Sequence, residues 1–279
     1  MLWKDLGRSS NLEDRRGFGG RAGMGIGGTA VLLILSLVFG RNFFDDVGSG
    51  GATLSQSNGS LSPADSAREE PQVRFISFVL DDAQATWNKL LPQYGAKYHD
   101  AGLVLFRGAT RTGCGTGQTA MGPFYCPLDE KVYIDLEFYE ELQTKYAAAG
   151  DFAQAYVIAH ELGHHVQHIL GTDAQMRQSA QRNPSRQNEL SVKLELQADC
   201  YAGVWGRSTQ QRNILQEGDI DEGLNAAASV GDDRIQQRTT GRVSTESFTH
   251  GSSAQRASWF RKGFDSGDPR ACDTFGAGG

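Results

Sequence analysis

Four of the six histidines in this 279-residue chain fall between positions 160 and 168. Within that run, His160-Glu161-Leu162-Gly163-His164 sets two imidazoles four residues apart. A helix advances about 100° per residue, so both rings share one face, a turn apart, and can reach one ion at the roughly 2.0–2.1 Å that zinc requires. Glu161 flanks that face, where a carboxylate stands beside a metal-held water without becoming a ligand. His164 and His168 have the same spacing, but His165 then occupies the place where the base belongs. His165 and His168 are read as orienting, packing or solvent-facing residues.

Catalytic zinc usually keeps three protein ligands and one open position. A third histidine in the HExxHxxGxxH manner is absent, because position 167 is Gln and position 170 is Leu. The best source of the third ligand is Glu195-Leu-Gln-Ala-Asp199, whose two carboxylates share a helical face. One could bind the ion while the other accepts the free imidazole N–H of a ligand histidine, which fixes its tautomer and raises its basicity. Glu217 and Asp221 repeat the spacing in a stretch broken by Gly218 and rank below.

The chemistry expected of such a set is hydrolysis at one Zn2+ per chain. The metal acidifies a water, Glu161 takes its proton, and the same carboxyl later protonates the leaving amine. The developing oxyanion wants a further donor. His250, in Phe248-Thr-His-Gly-Ser-Ser-Ala-Gln-Arg256, is the candidate, with Arg256 behind it. A peptide or protein substrate could add to the edge of a strand before the histidine helix, for which Lys131 to Asp135 is the natural choice. The rival classes are a zinc-containing peptide- or protein-binding module without turnover, against which the intact Glu161 argues, and a structural zinc site closed by four ligands.

Composition limits the alternatives. Charged residues are 22% and apolar residues 39%, ordinary for a globular chain. A net charge of -6 and the lack of a basic run exclude a broad nucleic-acid surface. Cys114, Cys126, Cys200 and Cys272 contain no CxxC pair, so a cysteine zinc site is poorly supported. Cys114 and Cys126 flank a Gly- and Pro-containing loop that suits a disulfide, which leaves Cys200 with Cys272; buried free thiols are the alternative.

Residues 22–40 carry no formal charge and, as a helix, would span about 28 Å, near the ~30 Å of a bilayer core. Lys4, Arg8, Arg15, Arg16 and Arg21 precede them and only Arg41 follows closely, so the positive-inside rule leaves residues 1–21 in the cytosol. The expectation is an uncleaved signal anchor in the bilayer, single-pass in a bacterial cytoplasmic membrane, with the remainder on the extracytoplasmic side. A cleavable signal lacks a good site at Val38-Phe39-Gly40, and Arg15-Arg16 only faintly matches a twin-arginine signal. Residues 41–72 are Gly- and Ser-rich and read as a linker, so that the folded domain, 73–279, begins near Val73.

The elements that must position the site follow from pattern. Arg74 to Leu80 is a strand or the start of a helix, and Asp81 or Asp82 caps a helix reaching Leu91 before Pro92. Leu103–Phe106 and Lys131–Asp135 are strands, with a loop from Gly113 to Pro127 between them. Helices are expected over Glu137–Ala148, over Phe152–Leu170 with Gly171 as its stop, from Pro184 or Ser185 to about Trp205, and over Asp219–Gln237. The fold class is α+β, helix-rich with a small sheet, preceded by one N-terminal transmembrane helix.

The ordered set of motifs resembles the bacterial putative neutral zinc metallopeptidases, a membrane-anchored family in the gluzincin class. The matching pieces are Ser10-Asn-Leu-Glu-Asp-Arg-Arg-Gly17, the charge-free segment, Gly113-Cys-Gly115 with Tyr125-Cys-Pro127, and His160 to His168. Glu195-Leu-Gln-Ala-Asp-Cys-Tyr-Ala-Gly203, Gly231-Asp-Asp-Arg-Ile-Gln236 and Thr249-His-Gly-Ser-Ser253 complete it, so that nearly the whole chain apart from the linker is covered. The resemblance implies a zincin-like domain, Glu195 as third ligand, Asp199 behind a ligand histidine, and His250 as the histidine that follows the metal helices. Asp232, Asp233 and Arg234 are read as buttresses of the fold.

Overall fold

A computed structural model describes residues 1–17 and 61–276. The charge-free segment 22–40 and most of the expected linker lie outside the described residues. Among those described, no helix is long and apolar enough to cross a membrane.

The chain is α+β. A four-stranded sheet runs in the order β1 (Leu12–Asp14), β2 (Gly102–Phe106), β6 (Lys131–Asp135), β5 (Phe124–Cys126). β1 and β6 lie parallel to β2, and β5 runs antiparallel to β6. β3 (Ala109–Thr112) and β4 (Gly115–Gln118) form a separate hairpin. Leu103, Val104 and Leu105, like Val132, Tyr133 and Ile134, are buried on both faces, the continuous apolar run expected of parallel strands covered on both sides.

Eight helices complete the described residues: α1 (Pro63–Leu90), α2 (Glu137–Thr144), α3 (Asp151–Leu170), α4 (Thr172–Arg182), α5 (Gln187–Gln211), α6 (Asp219–Ser229), α7 (Asp232–Thr240) and α8 (Ser253–Ser266). α3 packs against α1, α5 and α6. Ala155, Tyr156, Ile158, Ala159 and Leu162 recur at helical spacing and join the main core with Phe152, Trp205 and Phe260. α3 ends at Gly171, whose φ of 75° lets its N–H return to the carbonyls of Gln167 and His168.

Two close approaches set the helix spacing. A β-carbon at Gly163 would stand 3.0 Å from the Ala198 carbonyl oxygen, so its absence draws α3 onto α5. A β-carbon at Gly263 would stand 1.9 Å from the Cys200 carbonyl oxygen, which no real contact allows, so α8 lies directly on α5. Disulfides join Cys114 to Cys126 and Cys200 to Cys272; the second ties α5 to the C-terminal turn.

Several sequence expectations need correction. The linker reading fails from Pro63 onward: α1 runs unbroken for 28 residues through the expected boundary at Val73. Ser62 accepts the Asp65 N–H and Pro63 fills the first turn, a start signal hidden in polar composition. Residues 113–127 hold β4, one side of the hairpin, and β5 rather than a plain loop. The helix expected over 219–237 is two, α6 and α7, broken at Val230 and Gly231; α4 and α8 were not anticipated.

The N-terminal residues differ most. The sequence reading sets 1–21 apart from the domain, across a bilayer. The structure builds residues 1–17 into the domain. Leu103 N–H donates to Asn11 O at 2.8 Å and Arg15 N–H to Leu105 O at 2.7 Å. Trp3 packs edge-on against Phe75, Met1 reaches the core, and its amino group lies on Asp151 and Asp219 at 2.8 and 3.2 Å. Arg16 is 2% exposed, its guanidinium shared between Asp14 and Glu69 at the start of α1.

Candidate metal centre

α3 and α5 cross so that three groups converge. His160, His164 and Glu195 each offer an atom within 4.8 Å of the others. His160 Nε2 is 3.2 Å from one Glu195 oxygen and His164 Nε2 is 3.4 Å from the other. The two rings are nearly perpendicular, with centroids 4.8 Å apart. Two imidazole nitrogens and a carboxylate form a donor set that suits zinc.

The far side of each ring is held. His160 Nδ1 faces Asp199 Oδ1 at 2.9 Å, and His164 Nδ1 faces Gln167 Oε1 at 2.8 Å. A carboxylate and an amide oxygen only accept, so both rings carry their proton on Nδ1 and present the Nε2 lone pair to the centre. Asp199 is fully buried and its oxygens also take Arg256 Nε at 2.8 Å and Nη2 at 2.9 Å. Tyr156, one turn before His160, donates its hydroxyl to the same Asp199 Oδ1.

Burial works to raise both Glu195 and Asp199. For Asp199 the Arg256 guanidinium outweighs it, and that carboxyl stays charged below its usual range. Glu161 moves the other way. It is 7% exposed, and burial raises its carboxyl above the usual range. A carboxylate made more basic by its surroundings is suited to hold a proton in transit. Tyr139, on α2, is buried near enough to Glu161 to feel its charge, and its hydroxyl has no hydrogen-bond partner among the described residues.

His250 sits in the loop before α8, within electrostatic reach of Glu195. Asp232, at the start of α7, cradles this loop. One oxygen accepts the N–H groups of Thr249, His250 and Gly251 at 2.7, 2.6 and 3.0 Å, and the other is 3.2 Å from His250 Nδ1. Asp233 holds the next turn by accepting from Ser253.

Two sequence readings change. Arg256, ranked as an oxyanion donor, is 3% exposed and committed to Asp199, Tyr156 and the Val230 carbonyl, so it backs His160 instead. β6 is interior, with β2 and β5 on its two edges, and cannot take a peptide strand; β5 is the strand at that end of the sheet. His165 is fully buried and gives its Nε2–H to the His99 carbonyl while Tyr125 donates to Nδ1, each at 2.8 Å. His168 is paired with Asp173. Gln167, Tyr156 and Tyr125 were missed as supporting groups, while Asp232, read as a buttress, is one, of the His250 loop. The i, i+3 and i, i−4 spacing from the motif histidines marks the first two; nothing local marks Tyr125.

The family model described as "Putative neutral zinc metallopeptidase" matches residues 1–275. The uncharacterized protein YpfJ of Escherichia coli K12 is 49% identical over 288 aligned positions, covering 99% of each chain. The uncharacterized protein Rv2575 of Mycobacterium tuberculosis H37Rv is 45% identical over 208, covering 71% of this chain and 68% of its own. No solved structure matches.

Proposed function

From the membership of this chain in the family of putative neutral zinc metallopeptidases, we propose that it is a peptidase, most simply an endopeptidase, in which Glu161 is the general base. His160, His164 and Glu195 would hold the ion. Zinc, when bound, supplies Lewis acidity to a water and to the scissile carbonyl. Glu161 takes the proton of that water and carries it to the leaving amine. His250 donates to the oxygen that gains charge as the carbonyl is attacked. Asp199 and Arg256 keep His160 in place, and Asp232 keeps His250 in place.

The observation that carries this reading is the convergence of two Nε2 lone pairs and one carboxylate beside a buried, basic Glu161. The substrate is then a peptide or protein able to enter beside that face. Membrane attachment through residues 22–40 belongs to the same proposal, under one condition: residues 1–17 and 61–276 stand on the same side, because β1 is hydrogen-bonded into the sheet.

The test is zinc content and hydrolysis of an unstructured protein by the whole chain, beside Glu161→Gln and Glu195→Ala. The expected result is one zinc per chain in wild type and Glu161→Gln, loss of zinc in Glu195→Ala, and cleavage by wild type alone. Cleavage that survives Glu161→Gln, or a folded wild-type chain that takes up no zinc, overturns it.

A further inference from the structure

Gln167 stands three residues after His164, is fully buried, and has every hydrogen-bonding atom of its amide satisfied in a direction that cannot be reversed. Its oxygen accepts from His164 Nδ1 at 2.8 Å. Its nitrogen donates to the Leu194 carbonyl at 2.7 Å and to Gln197 Oε1 at 3.1 Å. Flipping the amide would set an NH2 against the carbonyl-facing N–H of His164 and an oxygen against two oxygens, so the contacts fix which end is which.

That one amide therefore touches both halves of the donor set. It holds the ring of His164 on α3 and the carbonyl of Leu194, the residue before Glu195, on α5. The next link is equally directional. Gln197, 6% exposed, receives Gln167 on its oxygen and gives its own nitrogen to the Cys272 carbonyl at 3.0 Å. Cys272 is covalently fixed to α5 through Cys200, beside Asp199. The network runs from a ligand ring to a disulfide through two buried side-chain amides.

We propose that Gln167 is a positioning residue that sets the tautomer of His164 and its distance from Glu195, and that Gln197 and the Cys200–Cys272 disulfide hold Gln167 in that role. The inference rests on the metal reading of the site. His160 is backed by a charged carboxylate and His164 by a neutral amide, so the two ligands differ in basicity. Outer partners of metal ligands typically change affinity by about 10- to 100-fold when removed.

The experiment measures zinc affinity by competition with a chromogenic chelator, and the visible spectrum of the cobalt-loaded whole chain, for wild type, Gln167→Ala, Gln167→Glu, Gln197→Ala, Gln167→Ala/Gln197→Ala and Cys200→Ser/Cys272→Ser. Gln167→Ala should weaken zinc about 10- to 100-fold and change the cobalt spectrum. Gln167→Glu keeps an acceptor for His164 but sets its second oxygen against the Leu194 carbonyl and Gln197 Oε1, so it should recover only part of the affinity, and urea midpoints of the zinc-free chains separate a loss of folding from an effect on the ligand. Gln197→Ala and the disulfide variant should weaken zinc less, and Gln197→Ala should add little on top of Gln167→Ala, because both act through one network. Wild-type affinity in Gln167→Ala, or full additivity of the two glutamine variants, overturns the proposal. A wild-type chain that binds no zinc would instead defeat the metal reading beneath it.

Discussion

Arg256 grips both oxygens of Asp199, at 2.8 and 2.9 Å, while the Oδ1 it touches also accepts from His160 Nδ1 at 2.9 Å. A cation from α8 and a ligand from α3 thus meet on one carboxylate of α5. The charge on Asp199 is needed twice, once to keep Arg256 paired in the interior and once to hold the His160 tautomer.

Breaking this pair should be costly in a way that can be separated from metal binding. Asp199→Ala leaves a buried guanidinium without its partner and should destabilise the chain by about 3–5 kcal/mol. An Asp199→Leu/Arg256→Met chain removes both charges and should recover part of that stability without recovering zinc affinity. Urea midpoints of the zinc-free proteins and chelator competition measure the two effects. Equal zinc affinity in the double variant and wild type would show that Asp199 does not support His160.

His250 and Asp232 should act as one unit. Removing a donor to a developing oxyanion typically lowers kcat by about 10²–10³, so His250→Ala should lose activity on that scale and keep its zinc. Asp232→Asn should fall short of that loss, and the pair combined should be no worse than His250→Ala alone. A drop in zinc content in His250→Ala would instead make His250 a ligand.

The N-terminal residues and the body of the domain should share one side of any membrane. Lys4 and Arg261 are both exposed, and all four native cysteines are in disulfides. Cysteines introduced singly at these positions in intact cells should both react, or both fail to react, with an impermeant maleimide. Reaction of one alone would contradict the pairing of β1 with β2.

Docking of residues 1–17 should weaken in acid. The hydrogen bonds to Arg16 hold the Asp14 carboxyl down at about 2 against an ordinary 3.8, with burial opposing. A carboxyl lowered by folding contributes stability above its unfolded value and loses it as pH falls through its folded one. Asp14 therefore stabilises the N-terminal segment fully above about pH 4 and loses that contribution toward pH 2. Protease cleavage between Met1 and Gly17 should rise across that window, and Asp14→Asn should show the raised cleavage already at pH 6. A flat profile in wild type would show that the Asp14–Arg16 contact does not secure the segment.

The metal residues are legible because helical spacing is short-range geometry. His160, Glu161 and His164 are fixed by one turn of helix, and Glu195 with Asp199 by another; only the crossing of α3 and α5 has to be supplied, and Gly163 against Ala198 supplies it. The support behind the ligands is less visible. Arg256 and Asp232 have ordinary surface composition around them, and what commits them is contact with residues far along the chain. α1 escaped because Ser, Asp, Glu and Pro71 read as linker, although Trp87, Val79 and Ile76 farther along bury the helix that begins among them. β1 is three residues long and has no pattern of its own; its identity as a strand comes from β2, which lies beyond α1.

That last pairing bears on the order in which the molecule is made. β1 is parallel to a partner that ends at Phe106, and parallel partners cannot be joined by a tight turn. Residues 1–17 must wait, unpaired, until some ninety residues more have been synthesised, and long loops of this kind slow a fold because closure entropy is lost before contacts repay it. β1, though made before its partner, is thus among the later strands to find its place. Any maturation step that trims the first seventeen residues would remove the edge of the sheet, the salt bridge from Arg16 to Glu69 and the cover over Phe75 together.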